Sequence, residues 1–175
     1  MLFRPISKYW MVNQCKTLKI DLSSIKCKIP KHTKPLTTPK KLIDVLGDGN
    51  CWYRCISVWI NGTEEHHELV RLKLYQFFIT DDRVRAYVGD MESYLDINPL
   101  NIIGTWATDV EIFATALMLN TNIYIYSDYH KSWQLFGKNG TYKDGVRATE
   151  NCLYMCHLNR NHYSVVADVN TPLIK

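Results

Sequence analysis

The apolar and polar positions of this chain change their period at about residue 120. Before that point apolar residues recur with helical spacing, and after it short apolar runs are bounded by turn residues, which is typical of strands. The predicted helices span residues 51–60, 64–78, 84–88, 91–97 and 109–119, and the predicted strands span residues 42–46, 122–126, 132–136, 152–158 and 162–167. Helices followed mostly by strands indicate an α+β fold.

Capping residues support two of the predicted helices. Thr63 stands directly before the helix over residues 64–78. Thr108 and Glu111 have the spacing of a capping box at the start of the last helix.

Residues 1–41 differ in composition from the rest of the chain. Residues 11–12 and 18–22 are weak strand candidates, and residues 28–41 are rich in proline and lysine, which favours an exposed, extended linker. Such a basic stretch can contact RNA or an anionic membrane, although a solvated linker is its commoner role. We therefore expect a basic N-terminal extension and linker over residues 1–41 and one domain over residues 42–170.

The composition is that of a globular cytoplasmic protein. With 175 residues, 46% of them hydrophobic, the chain can bury a full core. We expect no membrane span and no secretory signal, because the sequence has no apolar run of about 20 residues and no apolar segment near residue 1. Six scattered cysteines in a chain with a large core indicate reduced thiols. The net charge of +4 is too small to indicate a nucleic-acid partner, and we expect a monomer.

One cysteine lies where a nucleophile is easily made. The turn formers Gly-Asp-Gly-Asn occupy residues 47–50, and Cys51 begins the first predicted helix. The free amides and positive dipole end at a helix N-terminus favour thiolate over thiol, and they can lower a cysteine pKa from near 8.5 to roughly 3.5–7.5. Cys51 is therefore a candidate nucleophile. The alternative is a small buried residue, as most intracellular cysteines are.

A histidine that could serve this nucleophile lies near the other end of the chain. The predicted strands over residues 152–158 and 162–167 are joined by a polar turn, which makes a hairpin with His162 at its mouth. There the ring can face a helix N-terminus that packs on the same sheet. The alternative is a polar residue at a strand edge.

Two sets of side chains have the ligand types of a metal site. They are Cys152, Cys156 and His157, and Cys15, Cys27 and His32. Neither set has the paired C-x2-C spacing of a zinc site, so we expect no metal.

Three blocks of the sequence form a pattern in residue type, order and spacing. They are Asp48-Gly49-Asn50-Cys51-Trp52-Tyr53-Arg54, Gly104-Thr105-Trp106 with the following residues 109–116, and His162-Tyr163. This pattern, over roughly residues 42–168, resembles the ovarian tumour (OTU) family of cysteine proteases, which are mainly deubiquitinases. The resemblance implies a papain-like α+β fold, with a central, mostly antiparallel sheet flanked by helices. It also implies a catalytic domain that needs no metal or organic cofactor.

The resemblance assigns roles to single residues. It implies that Cys51 is the nucleophile and His162 the general base. Asp48, Gly49 and Asn50 are expected to form the loop that binds the oxyanion, together with the backbone amide of Cys51.

The residue that orients the histidine ring has several candidates. Many OTU proteases have Asp or Asn two residues after the histidine, a position on the same side of the strand, and this chain has Ser164 there. A serine hydroxyl can accept a bond from the imidazole, but it brings no charge to stabilise an imidazolium. Asp48, Asn159 and Asn161 are the other candidates.

Trp106 and Tyr163 are expected to line the substrate cleft, with core packing as an equal alternative for Trp106. The implied function is hydrolysis of isopeptide or peptide bonds after the C-terminal glycine of ubiquitin, so that ubiquitin or polyubiquitin is the expected partner. One alternative is an OTU-fold protease that acts on a ubiquitin-like modifier or on a viral or transposon polyprotein. The other is a catalytically inactive module that binds ubiquitin.

Overall fold

Helices and strands alternate little along this chain, as the sequence predicts. The computed structural model describes residues 1–21, 33–140 and 150–172. The helices are α1 (Lys8–Leu18), α2 (Cys51–Asn61), α3 (His67–Thr80), α4 (Asp82–Val88), α5 (Met91–Ile97) and α6 (Asp109–Met118). The strands are β1 (Leu2–Phe3), β2 (Lys34–Pro35), β3 (Pro39–Ile43), β4 (Asn122–Ser127), β5 (Ser132–Phe136), β6 (Cys152–Leu158) and β7 (His162–Val169).

The central sheet has five strands in the order β3-β7-β6-β4-β5. Strands β4 and β6 run parallel, whereas the other three neighbouring pairs are antiparallel. The predicted α+β fold with a mostly antiparallel sheet is confirmed. Because β3 and β6 both flank β7, the strand that begins with His162 lies inside the sheet rather than at its edge.

Helix α2 is the most deeply buried helix of the fold. Every residue from Cys51 to Asn61 is buried except Arg54, which is partly exposed. The helix packs on β7 and on α3, and the indole of Trp59 donates to the carbonyl of Tyr154 in β6 at 3.3 Å. Gly62 ends the helix with φ of 89°, a left-handed conformation that glycine adopts at little cost. The apolar run therefore anchors its first residue, Cys51, against the sheet.

Helix α3 begins later than the sequence predicts, at His67 rather than at residue 64. The predicted cap at Thr63 is wrong because the backbone of this residue is already bound to the end of α2. Its amide donates to the side chain of Asn61 at 3.1 Å, and its carbonyl accepts from the hydroxyl of Ser57 at 2.6 Å. The predicted capping box of α6 is confirmed, since the Thr108 amide donates to Glu111 and the Thr108 hydroxyl caps the helix.

The N-terminal residues form a helix where weak strands were predicted. Ser7 caps α1 by accepting from the backbone amide of Trp10 at 3.2 Å, and the buried residues Met11, Cys15 and Leu18 follow with helical spacing. The strand predictions over residues 11–12 and 18–22 are therefore wrong for the part that the structure describes.

The core includes residues on both sides of position 41. Phe3 is fully buried and contacts the ring of Tyr154, with ring centroids 4.5 Å apart. Residues 39–41 of the predicted linker belong to β3 and pair with β7, whereas residues 28–32 lie outside the described ranges. Helix α1 and the central sheet thus share one hydrophobic core with α2. None of the helices in the described ranges is long and apolar enough to span a bilayer.

Candidate active site

The turn before α2 is held in shape by a carboxylate. Asp48 accepts from the backbone amide of Asn50 at 3.0 Å, and both of its oxygens contact Arg54, at 3.1 and 2.6 Å. The guanidinium of Arg54 holds the pKa of Asp48 well below its usual range. Gly49 has φ of +82°, so the turn uses the conformational freedom of glycine. Asp48 therefore shapes the turn, and its oxygens are bound to Arg54.

Cys51 is the first residue of α2, and only 8% of its surface is exposed. Burial raises the pKa of its thiol, while hydrogen bonds from the backbone amides of Tyr163 and Trp52 act in the opposite direction. The sequence predicted that the helix N-terminus and a nearby imidazolium lower this pKa, whereas in the structure burial is the largest influence on it and acts in the opposite direction. The contact with the Tyr163 amide places the start of β7 next to the sulfur.

His162 begins β7 and is oriented by a carboxylate that the sequence analysis missed. Its Nε2 lies 2.8 Å from Oδ1 of Asp44. The other ring nitrogen, Nδ1, faces Gly47, and a Cβ added to this glycine would lie 3.5 Å from Nδ1. With Nε2 on Asp44, Nδ1 is the nitrogen left to exchange a proton with Cys51.

Ser164 supports this carboxylate. Its hydroxyl donates to the same Asp44 oxygen at 2.7 Å. The bonds from Ser164 and His162 lower the pKa of Asp44, whose side chain is 77% exposed. The sequence analysis predicted that Ser164 bonds the His162 ring. The structure instead places its hydroxyl on Asp44, on the side of β7 that Ser164 shares with His162. The available signal was an acidic residue inside the apolar run over residues 42–46.

Asn50 is turned away from the site and bound on several sides. Its side chain is buried, and its Oδ1 accepts from the backbone amide of Gly104 at 2.9 Å and from Arg71 at 2.7 Å. The backbone amide of Asn50 donates to Asp48. Asn50 therefore supports the predicted oxyanion loop from the buried side. The backbone amides of Gly49 and Cys51 remain the candidate oxyanion donors. The Cys51 amide is one of the first amides of α2, which have no intrahelical partner, and Gly49 belongs to the turn directly before it.

A cleft of about 400 Å³ leads to the nucleophile. Cys51, Trp106 and Tyr163 all contribute to its lining, with the first residues of α6 on one side and His157 and Arg160 on the other. Trp106 is 59% exposed, so it belongs to the cleft and not to the core. Tyr163 is buried between the indole of Trp52, 5.3 Å away, and the imidazole of His157, 4.4 Å away. Both aromatic residues line this cleft, and their contact with substrate stays a prediction.

The second cysteine of α2 is no competing nucleophile. Cys55 is fully buried, and its thiol donates to the carbonyl of Tyr163 at 3.4 Å. Burial raises its pKa well above the usual value. No group of three metal-ligand side chains occurs in the described ranges, which leave out Cys27 and His32.

A thiol beside an imidazole that is held by a carboxylate can carry out nucleophilic acyl transfer. The carboxylate of Asp44 holds the imidazole of His162, the amide of the next residue along β7 lies at the Cys51 sulfur, and the cleft reaches Cys51. This arrangement resembles that of cysteine proteases in its groups.

Several known proteins are similar to this chain. "OVARIAN TUMOR DOMAIN-containing deubiquitinating enzyme 7" of Arabidopsis thaliana is 27% identical over 97 residues, which are 54% of this chain and 26% of that protein. The chain therefore spans about a quarter of the length of this relative.

Solved structures of OTU domains share the fold. The OTU domain of OTUD1 is similar with a TM-score of 0.59 and 21% identity, and the match covers 73% of this chain and 85% of that one. An OTU deubiquitinase from Wolbachia pipientis wMel gives a TM-score of 0.55 at 14% identity, covering 73% and 88%. The Hazara virus OTU, solved bound to ubiquitin, gives 0.52 at 18% identity, covering 75% and 82%.

The model of the family described as "OTU-like cysteine protease" matches residues 46–163. This range is more than half of the chain, and it contains the turn before Cys51, the cleft residues and His162. The chain is a member of the family of OTU-like cysteine proteases.

Proposed function

We propose that this protein is a thiol-dependent deubiquitinase that hydrolyses the isopeptide or peptide bond after the C-terminal glycine of ubiquitin. The observation that carries the proposal is that the Cys51 sulfur lies at the amide of Tyr163, the residue directly after His162, whose ring is held by Asp44. Membership of the family and the naming of the Arabidopsis relative as a deubiquitinating enzyme support this reaction. The Hazara virus domain, bound to ubiquitin, supports ubiquitin as the partner.

The reaction begins with a proton transfer. Because burial raises the pKa of Cys51, the free enzyme holds a thiol at neutral pH, and Nδ1 of His162 accepts its proton as the sulfur attacks the glycine carbonyl. The carbonyl oxygen becomes an oxyanion, which the backbone amides of Cys51 and Gly49 stabilise. Asp44 holds the ring and stabilises the imidazolium that forms.

The intermediate then collapses in two steps. His162 returns its proton to the leaving amine, the C–N bond breaks, and a thioester links the glycine to Cys51. Water, deprotonated by His162, attacks the thioester, the C–S bond breaks, and the Cys51 sulfur takes the proton back from His162 as the ubiquitin carboxylate forms.

The tail of ubiquitin would lie extended in the cleft. Trp106 and Tyr163 border this cleft at Cys51. A tail that ends in glycine suits such a site because glycine has no side chain to clash with the two aromatic residues.

Cys51→Ala is expected to abolish both ubiquitin hydrolysis and covalent labelling by a ubiquitin probe that carries a C-terminal propargyl group. Cys55→Ser is the matched control, because it changes a thiol one helical turn away that is fully buried and faces the Tyr163 carbonyl. This control is expected to lose some stability and keep labelling. Intact mass measured after incubation with the probe checks the result. If only a propargyl probe made from a ubiquitin-like modifier labels the protein, the proposed substrate is contradicted. If ubiquitin binds reversibly and its probe does not label, the proposed activity is contradicted.

Asp44→Ala is expected to lower kcat by about tenfold to a hundredfold, since a hydrogen bond to a charged group is worth roughly 1.5–3 kcal/mol. Ser164→Ala should cost less, about twofold to fivefold, because the serine acts on the ring only through Asp44. Steady-state hydrolysis of ubiquitin with a fluorescent leaving group measures both effects. Asp82→Ala, which removes an exposed carboxylate at the start of α4, is the control. A loss in Ser164→Ala that exceeds the loss in Asp44→Ala would refute this order of roles.

The pH dependence of alkylation tests the protonation state of the nucleophile. Iodoacetamide reacts with the thiolate, and the raised pKa of Cys51 means that the thiolate fraction rises about tenfold per pH unit below that pKa. The rate at Cys51, followed by peptide mass mapping, should therefore increase from pH 6 into the alkaline range without levelling off near neutrality. A plateau that begins below pH 7 would instead indicate a preformed thiolate–imidazolium pair.

A further inference from the structure

A buried cation lies directly behind the catalytic turn. Arg71 belongs to α3, is 1% exposed, and stacks its guanidinium 3.8 Å from the centre of the Tyr53 ring. A charge removed from water in this way is costly unless its donors are bound to acceptors. The partners of Arg71 therefore show what this charge stabilises.

The guanidinium bonds to two segments that lack regular secondary structure. The first is the turn over residues 48–50, through Oδ1 of Asn50 at 2.7 Å and the carbonyl of Gly49 at 3.4 Å. The second is the loop over residues 100–106, which we name the cleft loop because it ends at Trp106. In this loop the carbonyls of Leu100 and Thr105 both accept at 2.8 Å.

The turn and the cleft loop also contact each other directly. The amide of Gly104 donates to the side chain of Asn50 at 2.9 Å. A Cβ built on Gly49 would lie 2.0 Å from the carbonyl oxygen of Gly104, so any side chain at position 49 would push the two segments apart. Both glycines have positive φ, at +82° and +90°.

The planar guanidinium suits this place for a geometric reason. It presents several N–H donors in a fixed fork, and one such group can therefore hold acceptors from two chain segments at once. A lysine ammonium is a compact charge with three donors and cannot span the same set of oxygens. Because the site is buried, water cannot easily replace the lost bonds.

We infer that Arg71 is a positioning residue that fixes the oxyanion-binding turn against the cleft loop, so that the wall of the substrate cleft and the oxyanion donors keep one relative geometry. This inference rests on the proposed function and extends it to a residue that touches neither substrate nor Cys51. The transmission runs through Asn50, whose side chain connects the guanidinium to the Gly104 amide. Catalysis depends on donors held to within fractions of an ångström, so a small shift of the turn reduces turnover.

Arg71→Met is expected to lower kcat for hydrolysis of ubiquitin–rhodamine by about tenfold to a hundredfold, with KM changed less than threefold. Arg71→Lys should show a smaller fall in kcat. The alkylation rate of Cys51 by iodoacetamide should stay within twofold of wild type in Arg71→Lys, which keeps the positive charge that interacts with Cys51, because alkylation develops no oxyanion. A general loosening of the site would change the alkylation rate together with kcat, and that result would overturn the inference.

Leu74→Ala is the matched control. Leu74 is fully buried on the same helix, one turn beyond Arg71. Its truncation should lower the melting temperature while kcat stays within twofold of wild type. If Arg71→Met does not fold, Arg71→Lys carries the test, and full turnover in the folded lysine variant would overturn the inference.

A double-mutant cycle with Asn50→Leu tests the route. Arg71 and Asn50 are the two partners of one hydrogen bond. The kcat loss of the Arg71→Met/Asn50→Leu variant should therefore be close to the larger of the two losses in the single variants. If the kcat losses of the two single variants multiply in the double variant, Arg71 does not act through Asn50.

Hydrogen–deuterium exchange separates this inference from the proposed function. Wild-type protein that fails to hydrolyse any ubiquitin substrate refutes the proposed function. Even then, Arg71→Met should increase amide exchange in peptides covering residues 47–51 and 100–106, and Leu74→Ala should leave that pair of segments protected. Unchanged exchange in both segments of folded Arg71→Met would overturn the positioning role.

Discussion

The backbone of one residue, Tyr163, holds the candidate nucleophile against the strand that carries His162. Its amide hydrogen-bonds to the sulfur of Cys51, and its carbonyl accepts from the thiol of Cys55, which lies one helical turn further along α2. Two sulfur atoms one helical turn apart thus bind the amide and the carbonyl of a single strand residue. Helix α2 therefore cannot rotate or slide against β7 without breaking one of these contacts. Because His162 precedes Tyr163 directly, this match also fixes the position of the His162 backbone relative to α2.

The site combines a buried half with an exposed half. Cys51, Asn50 and Arg71 lie in the interior, where removal from water raises the pKa of the thiol and makes each hydrogen bond of the guanidinium hard to replace. Asp44 lies at the surface, at the point where β3 has ended, and orients His162 from the solvent side. A nucleophile with a raised pKa depends on the neighbouring imidazole to remove its proton, so the two halves act together.

The sequence analysis predicted correctly those features of the fold that depend on interactions within one short segment of the chain. The turn formers before Cys51, the capping box of α6 and the hairpin that carries His162 each lie within one short segment, and all of them formed as predicted. Thr63 was mispredicted because its backbone groups bind the end of α2 and not a new helix.

Two contacts between distant segments, those of Asp44 with His162 and of Arg71 with its loops, escaped the sequence analysis. Asp44 and His162 are 118 positions apart, and only the pairing of β3 with β7 brings them together. Arg71 showed no signal among the charged residues of α3, which also include Glu68 and Lys73, because its role depends on loops that are 21 to 34 positions away. Helix α1 carried a serine cap and a helical apolar pattern, and these signals were outweighed by the basic, proline-rich stretch that follows.

The central claim is that His162 accepts the proton of a buried thiol, and removal of its imidazole tests this most directly. The measurement is kcat/KM of His162→Ala against wild type for ubiquitin with a fluorescent leaving group, in protein shown to be folded by its melting curve. We expect a loss on the order of a thousandfold or more, as for other catalytic bases. Activity within tenfold of wild type in the folded variant would contradict the account.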